Sequence, residues 1–285
     1  MFFFSHFRPF FQTLMNFLPD LDPLDEKDVI SNDPILISIT ELVAFVRSKK
    51  SEHLELEIRV GTFGQDNTFH PGYSHIGLIR RMITRLKNNC AKLKSWTTLN
   101  EVAFLNTEFP NNVRKRVGLT PIPIIVKKEK LSKIDIGSDR MMLGLRVSLS
   151  RETPVLGSSL VDNEGKELAP SSIRYIHRAS FIQKIHFTNT FSVSVQFDIS
   201  KVSQSAPNKL ECTKTPAQYH CEVELLDKLT SLNNPEEEII QNQYIAYALL
   251  QAAKTFLGTH KIIVGEVPER LTQPNLVILS KSMKH

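Results

Sequence analysis

Two periodicities run along the chain. Apolar residues recur at helical spacing in 34–50, 78–93 and 234–258, and the last of these opens with acidic residues and reaches a glycine stop at Gly258. Apolar and polar residues alternate in seven other segments, which predicts strands with two unlike faces. Those segments are 54–61, 111–118, 122–131, 143–152, 173–182, 191–202 and 219–226. Seven strands with three helices indicate an α+β domain built on a large antiparallel sheet or barrel.

The regular patterns leave both ends of the chain outside the predicted domain. We divide the sequence into an N-terminal extension or arm at 1–33, a folded domain at 34–258 and a C-terminal extension at 259–285. The arm opens with an aromatic run that is broken between His6 and Pro9, before it is long enough to cross a bilayer. We therefore expect no transmembrane segment. We interpret the arm as a partner-binding or core-covering segment, with a peripheral membrane contact as the alternative.

Composition excludes several classes of protein without selecting an activity. Hydrophobic residues make up 41% of the chain and charged residues 23%, which is ordinary for a soluble globular domain. The formal net charge of +5 favours polyanionic partners such as nucleic acid or polyphosphate. Cys90, Cys212 and Cys221 form no CxxC, so neither a disulfide framework nor a zinc cluster is indicated, and a reducing intracellular compartment fits best. No glycine-rich phosphate loop is present, which excludes P-loop chemistry.

The polar faces of the predicted strands are sorted by charge. The first strand carries Glu55, Glu57 and Arg59 on one face, and the last carries His220, Glu222 and Glu224. The strands between them carry mainly cations on the equivalent face, namely Arg114, Arg116, Lys128, Lys130, Arg146, Arg174 and Arg178, together with Asp198 and Ser200. If these faces point inward, a barrel would enclose carboxylates on one wall and cations around the rest. Such an interior must stay wet and bind ions, because burying unpaired charge is costly.

This arrangement suits metal-assisted hydrolysis of a triphosphate. Hard cations such as Mg²⁺ or Mn²⁺ prefer oxygen ligands, and two Glu-x-Glu strands can offer four carboxylates. A triphosphate would bridge the metal and the basic wall, where arginine forks match phosphate oxygens. A single Glu-x-Glu strand is more often a solvated face, so the prediction depends on the occurrence of these strands together and in order.

That order resembles the fungal, protozoan and large-DNA-virus RNA triphosphatases, the β-subunit type of mRNA capping enzyme within the triphosphate tunnel metalloenzymes. The resemblance covers about 35–258 and is most specific at ELEIRVGTF, RVSLSRE, RYIHRASF, FDISKV and EVEL. It implies an eight-stranded antiparallel barrel, the triphosphate tunnel, with flanking helices and a divalent metal, usually Mg²⁺ or Mn²⁺. The implied reaction removes the γ-phosphate from 5′-triphosphate RNA in the first step of capping.

The resemblance also implies roles for the sorted residues. The metal ligands would be Glu55, Glu57, Glu222 and Glu224. The phosphate-binding residues would be Arg59, Arg114, Arg116, Lys128, Arg146, Arg174 and Arg178, of which Arg114, Arg174 and Arg178 would also be catalytic. Glu152 would orient or deprotonate the attacking water, and Asp198 would support a metal-bound water or a basic neighbour.

Three positions depart from the family pattern. Ile176 stands where the family strand usually carries Lys, and His220 stands where some members carry a further Glu. Ser200 replaces the family's Thr. We do not expect His177 to supply the cation missing at 176, because strand alternation points its side chain to the opposite face.

Three functions are compatible with the sequence. An RNA 5′-triphosphatase is favoured by Glu-x-Glu-x-Arg after a long lead, whereas bacterial-type relatives show Glu-x-Glu-x-Lys near the N-terminus. The same fold could instead act on inorganic tripolyphosphate, nucleoside triphosphate or thiamine triphosphate. The third function is an inactive module that binds triphosphate RNA or a capping partner.

The first function carries expectations about partners and location. We expect the chain to bind the 5′-triphosphate end of nascent RNA and to work with an RNA guanylyltransferase, the capping enzyme α-subunit. A homodimer is a further expectation. The expected location is the nucleus, or a viral factory or virion if the source is a large DNA virus.

Overall fold

In the computed structural model, eight strands close into an antiparallel barrel. The structure describes residues 34–49, 53–64, 68–72, 76–118, 122–138, 141–162, 164–187, 191–205 and 217–257. The strands are β1 (Leu54–Phe63), β2 (Phe69–Pro71), β3 (Trp96–Thr98), β4 (Val102–Glu108), β5 (Val113–Val117), β6 (Ile124–Ser138), β7 (Met141–Pro154), β8 (Ser172–His186), β9 (Ser192–Ser205) and β10 (Gln218–Leu225). The barrel runs β10-β9-β8-β4-β5-β6-β7-β1 and closes where β1 pairs with β10, while β2 pairs with β1 and β3 with β8. The predicted eight-stranded antiparallel barrel is confirmed.

The main hydrophobic core lies outside the barrel, under the helices. Helix α1 (Pro34–Ser48) packs against α3 (Pro235–Leu257), which also contacts β1, β9 and β10, while α2 (Ile76–Lys92) contacts β3 and β8. The outward side chains of Ile58 and Val223 belong to the same buried cluster as Leu249 of α3. Because the strands bury their apolar faces against helices, their inner faces are free to carry polar groups. No helix in the described part of the chain is long and apolar enough to cross a membrane.

Sequence periodicity missed three strands and misplaced the bounds of others, most of all for the strand predicted at 122–131, which spans Ile124–Ser138. β2 and β3 are only three residues long, and β4 carries solvent-exposed Val102 and Leu105, so its two faces are not distinguished by polarity. The strand predicted from 111 starts at Val113, because Asn111 and Asn112 have φ values of 61° and form a left-handed turn that Asn tolerates. The predicted extensions 1–33 and 259–285, the helix stop at Gly258 and Cys212 lie outside the described residues.

A β-bulge in β6 changes which of its side chains face the interior. The register with β7 shifts between Lys130 and Ser132, so that Lys133 and Asp135 pair with interior-facing residues of β7. Strict alternation from Lys128 would have placed Asp135 on the outer face. The bulge therefore adds an interior carboxylate that the sequence pattern does not reveal.

Phe63 and Phe69 fill the barrel where β1 ends, because two interior-facing glycines leave room for their rings. A Cβ atom on Gly144 would lie 2.1 Å from Phe63 Cε2, and one on Gly61 would lie 2.6 Å from Phe69 Cζ. We expect Gly144→Ala to lower the free energy of unfolding by about 1–3 kcal/mol, since an aromatic ring must move within a packed site.

Urea denaturation of the Gly144→Ala variant measures this loss. Gly118→Ala is the matched control, because the nearest atom to its added Cβ lies 3.8 Å away. The control should change the free energy of unfolding by less than about 0.5 kcal/mol. Equal losses in the two variants would show that the Phe63 ring does not set the cost.

Candidate active site

The interior of the barrel is a polar cavity of about 770 Å³, and all eight barrel strands contribute side chains to its wall. The predicted site residues that line it are Glu55, Glu57, Arg59, Arg114, Arg116, Lys128, Arg146, Glu152, Arg174, Arg178, Glu222 and Glu224. Asp198 is the predicted residue that does not line it. Strand alternation therefore assigned these side chains to the interior correctly, while their individual roles stay predictions.

β1 and β10 form an acidic wall. Glu57 lies opposite Glu224 in the ladder, and Arg59 lies opposite Glu222. Arg59 links the two strands, because its Nη2 atom is 3.0 Å from Glu57 Oε1 and its Nε atom is 2.9 Å from Glu222 Oε1. Burial alone would raise the pKa of Glu222, but the guanidinium groups of Arg59 and Arg178 lower it to about 2. Glu222 is therefore a carboxylate at any physiological pH.

Glu224 is the acidic residue of this wall that has no counter-charge. Its carboxyl group forms no hydrogen bond or ion pair with the described residues. Burial, followed by repulsion from Glu55, Asp198 and the other nearby carboxylates, raises the pKa of Glu224 to about 8. A carboxyl group in this state gains most when a cation binds beside it, because the cation removes both the repulsion and the cost of ionisation.

Lys128 on β6 connects the acidic wall to Glu152. Its Nζ atom lies 2.9 Å from Glu55 Oε2, 3.0 Å from Glu152 Oε1 and 4.0 Å from Glu57 Oε1. Burial alone would raise the pKa of Glu152, but Lys128 and Arg114 outweigh it and lower the pKa. Glu152 is therefore ionised at neutral pH and can accept a hydrogen bond from water.

The acidic wall fits a hard divalent cation, although its carboxylates are not gathered into one cluster. No three His, Cys, Asp or Glu side chains in the described ranges lie close enough together to hold a metal ion as they stand. Lys128 and Arg59 instead occupy oxygen atoms of Glu55, Glu57 and Glu222. The all-oxygen donor set and the unpaired Glu224 suit a hard ion of this kind. A metal ion held by these glutamates would share oxygen atoms that Lys128 now contacts.

A basic wall is formed by β4, β5 and β8. Glu108 on β4 accepts hydrogen bonds from both Arg174 Nη2 and Arg114 Nη2, the latter at 3.2 Å. Arg114 Nη1 also lies 3.3 Å from Glu152 Oε1. With its amide oxygen turned toward the arginines, Asn106 accepts from Arg114 Nε and Arg174 Nη2, each at 3.2 Å. These contacts hold the guanidinium groups of Arg114 and Arg174 in place, and some of their N–H groups face the cavity.

Arg116 differs from the other cavity arginines because no carboxylate of the described residues lies within ion-pairing distance of it. Its guanidinium carbon stands 4.9 Å from the centre of the Phe104 ring, and its buried Nε atom has no hydrogen-bond partner there. Burial, then repulsion from Arg178, lowers the pKa of Arg116. The charge of this side chain is therefore available for an anion that enters the cavity.

The position where the family usually has Lys is part of an apolar patch. Ile176 packs with Phe104 and Val202 on the cavity wall. His177 points outward and lies 3.7 Å from Glu101, which confirms that it does not replace the missing cation. His220 faces the cavity, but burial lowers its pKa to about 4, so it is neutral at pH 7. Two cations border this patch, because Arg116 and Arg178 both stack on Phe104, at 4.9 Å and 5.7 Å from its ring centre.

Asp198 acts on the cavity through Arg178. It is 2% exposed, and its carboxylate lies 2.8 Å from Arg178 Nη1. The carboxylate also accepts a hydrogen bond of 2.6 Å from Ser180 Oγ and one of 3.0 Å from Gln196 Nε2. Of the two roles expected for Asp198, the contact with a basic neighbour is present. Arg178 then reaches Ser200 Oγ at 3.0 Å and Glu222 at 3.5 Å.

Arg146 faces the cavity but is already paired. Its Nε and Nη2 atoms donate to Asp135 Oδ1 at 2.6 Å and Oδ2 at 2.9 Å, and its guanidinium stacks 4.6 Å from the Phe69 ring centre. The phosphate-binding roles predicted for Arg146 and Arg59 stay predictions, since both side chains are engaged by carboxylates.

Sequence reasoning missed Glu108, Asn106 and Asp135. The first two lie on β4, where an alternating F-x-N-x-E pattern follows Val102 and could have been recognised as one polar face. Asp135 had no such signal, because the bulge that turns it inward leaves no mark in the alternation.

Comparison with known proteins supports this description. The family model of the mRNA capping enzyme beta chain matches residues 105–264, which is more than half of the chain. Among solved structures, the S. pombe Pct1 RNA triphosphatase is similar with a TM-score of 0.54 at 14% identity, over 80% of this chain and 91% of that one. The same protein in complex with the Spt5 CTD gives 0.52 at 15% identity, over 80% and 92%.

A Mimivirus capping enzyme triphosphatase gives a TM-score of 0.46 at 17% identity, over 79% of this chain and 96% of that one. A search of curated proteins by sequence finds no match. The Pct1 likeness shows the fold, and the family match spans β5 to α3, including the basic wall, Glu152 and the second Glu-x-Glu strand. The chain therefore belongs to the family of mRNA capping enzyme beta chains.

Proposed function

We propose that this chain is an RNA 5′-triphosphatase, which hydrolyses the γ-phosphate of 5′-triphosphate RNA to leave a 5′-diphosphate end for capping. One observation carries the proposal beyond family membership: a basic and an acidic side chain, neither of them paired within the described residues, sit on opposite walls of one cavity. Arg116 is on β5 and Glu224 on β10, four strands apart in either direction around the barrel. A triphosphate with its metal ion has the complementary charges.

Tunnel-fold triphosphatases depend on a metal, and the acidic wall is where this chain would hold it. We assign Glu55, Glu57, Glu222 and Glu224 as its ligands and propose Mg²⁺ or Mn²⁺ as the ion. When bound, such an ion offsets negative charge that develops on the γ-phosphoryl oxygens. Arg59 lies between Glu57 and Glu222 and contacts both carboxylates, which holds them in place on the cavity wall.

The remaining side chains bind and orient the substrate. Arg116 offers a guanidinium that no carboxylate among the described residues pairs with, and Arg114, Arg174 and Arg178 are held in place by acidic partners. Such fixed donors can stabilise phosphate oxygens without reorganising during the reaction. Glu152, whose pKa is lowered, accepts a hydrogen bond from the attacking water and directs it at the γ-phosphorus. The water proton can pass to Glu152 as the bond to the γ-phosphorus forms and the bond from that phosphorus to the β–γ bridging oxygen breaks, which leaves a diphosphate end and inorganic phosphate.

An inactive triphosphate-binding module is the second candidate. The apolar patch of Phe104, Ile176 and Val202 favours an inactive module, because this part of the cavity wall carries no cation that could bind phosphate. The patch leaves Arg116 and the acidic wall in place, so we rank turnover first. Hydrolysis of inorganic tripolyphosphate or nucleoside triphosphate would use the same wall groups.

Membership of the capping enzyme beta chains supports a proposal about partner and location. We propose a separate RNA guanylyltransferase as the partner and the nucleus, or a viral factory for a viral source, as the location. Co-purification of a guanylyltransferase with the full chain from its native source tests the first of these.

Phosphate release from γ-labelled triphosphate RNA tests the proposed function directly. The full chain with Mg²⁺ or Mn²⁺ should release the label, and removal of metal by a chelator should stop it. Glu55→Ala should lower the rate by at least about 100-fold, since it removes a metal ligand and one partner of Lys128. Label that stays on the RNA with every metal, while the RNA still binds, would favour the inactive module.

A further inference from the structure

The cavity has a mouth at one end that can be identified from exposure. Four of its lining residues are exposed to solvent: Asn112, Lys130, Lys133 and Ser171. Asn112 immediately precedes β5, and Ser171 precedes β8 and donates its backbone N–H to Glu108 at the end of β4. The pairing of β6 with β5 ends at Lys127, which lies opposite Val113, the first residue of β5. Lys130 and Lys133 therefore lie beyond the end of β5 that Asn112 precedes. All four exposed residues therefore border one opening.

The two sides of the mouth differ in charge. Asn112 and Ser171 are neutral, whereas β6 supplies Lys130 and Lys133. The bulge at Leu131 keeps both lysines on the inner side of β6. Regular alternation would have placed Lys130 and Lys133 on opposite faces of the strand. Lys133 is 59% exposed, and its Nζ atom is 3.8 Å from Asp135, whose carboxylate is already bound by two atoms of Arg146. Much of the positive charge of this pair is therefore directed to solvent.

We infer that Lys130 and Lys133 bind the phosphates of the RNA chain just downstream of its 5′ end. The inference rests on the proposed function: the exposed lining residues mark this mouth as the opening through which an RNA would extend if its triphosphate lay among Arg116, Arg174 and the acidic wall. Paired lysines 130 and 133 then meet the next backbone phosphates. Such contacts recognise the charge of the phosphates and not the nucleotide sequence of the RNA. They would therefore serve transcripts that differ in their first nucleotides.

A second explanation of the lysines is that they protect an edge. Past Lys127, β6 has no strand partner on its β5 side within the described ranges, and lysines on an open edge discourage pairing with another chain. Edge protection predicts no dependence of catalysis on the length of the substrate. RNA binding predicts that the lysines matter only for substrates that extend beyond the mouth.

Steady-state phosphate release on ATP and on triphosphate-ended RNAs of increasing length separates the two explanations. For the unaltered chain, KM should fall from ATP to short RNA and then level off. The K130A/K133A variant should raise KM for the longer RNAs by about 2- to 30-fold relative to ATP, with kcat unchanged. The slope of log KM against log salt concentration for RNA should fall by about 1.4 in the variant.

Matched variants make the outcome decisive. K127A/K201A removes two exposed lysines from the outer faces of β6 and β9 and should leave the length dependence intact. K130E/K133E should enlarge the penalty for RNA. Equal changes for ATP and RNA, or an unchanged length dependence, would overturn the inference while leaving the proposed function in place. Absence of release from every substrate by the unaltered chain would overturn the proposed function itself, and the inference with it.

Discussion

Glu224→Gln is expected to abolish metal-dependent phosphate release and to stabilise the metal-free protein. Glutamine keeps the size of the side chain but cannot supply a charged ligand to Mg²⁺ or Mn²⁺, so we expect a rate loss of at least about 100-fold. The same change removes a buried acid that repels Glu55, Glu57 and Asp198. Opposite effects on activity and stability distinguish a binding site from a structural group.

The stabilisation should depend on pH in a defined direction. The pKa of Glu224 rises from 4.5 to about 8 in the folded chain, so between these values the folded state keeps a proton that the unfolded state has lost. The free energy of unfolding then falls as pH increases, by up to about 1.4 kcal/mol per pH unit. The advantage of Glu224→Gln should therefore grow across this interval and become constant above pH 8.

Urea unfolding in a chelator at several pH values, beside phosphate release, measures both effects. Glu129→Gln is the matched control, because Glu129 is 57% exposed on the outer face and pairs with Arg151. The control should leave activity and the pH profile unchanged. Parallel pH profiles for Glu224→Gln and the unaltered chain would show that Glu224 is not a strained buried acid, and retained release would remove it from the metal ligands.

The inner faces of the barrel were predictable because alternation and charge agree on most strands. The acidic residues alternate with apolar ones on both β1 and β10. Their side chains line the cavity, as alternation predicts for Glu55, Glu57, Glu222 and Glu224. The apolar residues between them are buried under the helices. The adjacency of these two strands was a supposition, made when their carboxylates were placed on one wall, because no local pattern specifies which strands close a barrel. The ladder that places Glu57 opposite Glu224 confirms it.

The pairing of charges inside the cavity was not predictable from the sequence. Glu108 lies on β4, whose inner face also carries the apolar Val102 and Phe104, so the polarity contrast between the two faces of this strand was weak. Asp135 reaches Arg146 only because of one extra residue in β6, which period-2 analysis cannot register. Sequence alone therefore gave a set of interior arginines without showing that Arg146 is occupied and Arg116 is not.

That difference between arginines leads to the expectation that Arg116→Met lowers kcat/KM by about 100-fold without destabilising the fold. Methionine retains an unbranched stem that can pack on Phe104, but it removes the cavity guanidinium that has no carboxylate partner. The lost interaction is with phosphate oxygens, for which charged, fixed donors contribute most in the transition state. Stability should be unchanged or higher, because a buried unpaired charge is replaced by an apolar group.

Two further substitutions give this expectation its controls. Arg114→Met should reduce both activity and stability, because it leaves Glu108 and Glu152 short of a partner in a half-buried site. Arg151→Met, on the outer face of β7, should change neither. Phosphate release and urea unfolding should therefore distinguish the three variants. Arg116→Met should lose activity alone, Arg114→Met should lose both activity and stability, and Arg151→Met should lose neither. Full activity of Arg116→Met would show that the substrate is held by the paired arginines alone, and a loss of stability equal to that of Arg114→Met would show that Arg116 has a structural partner.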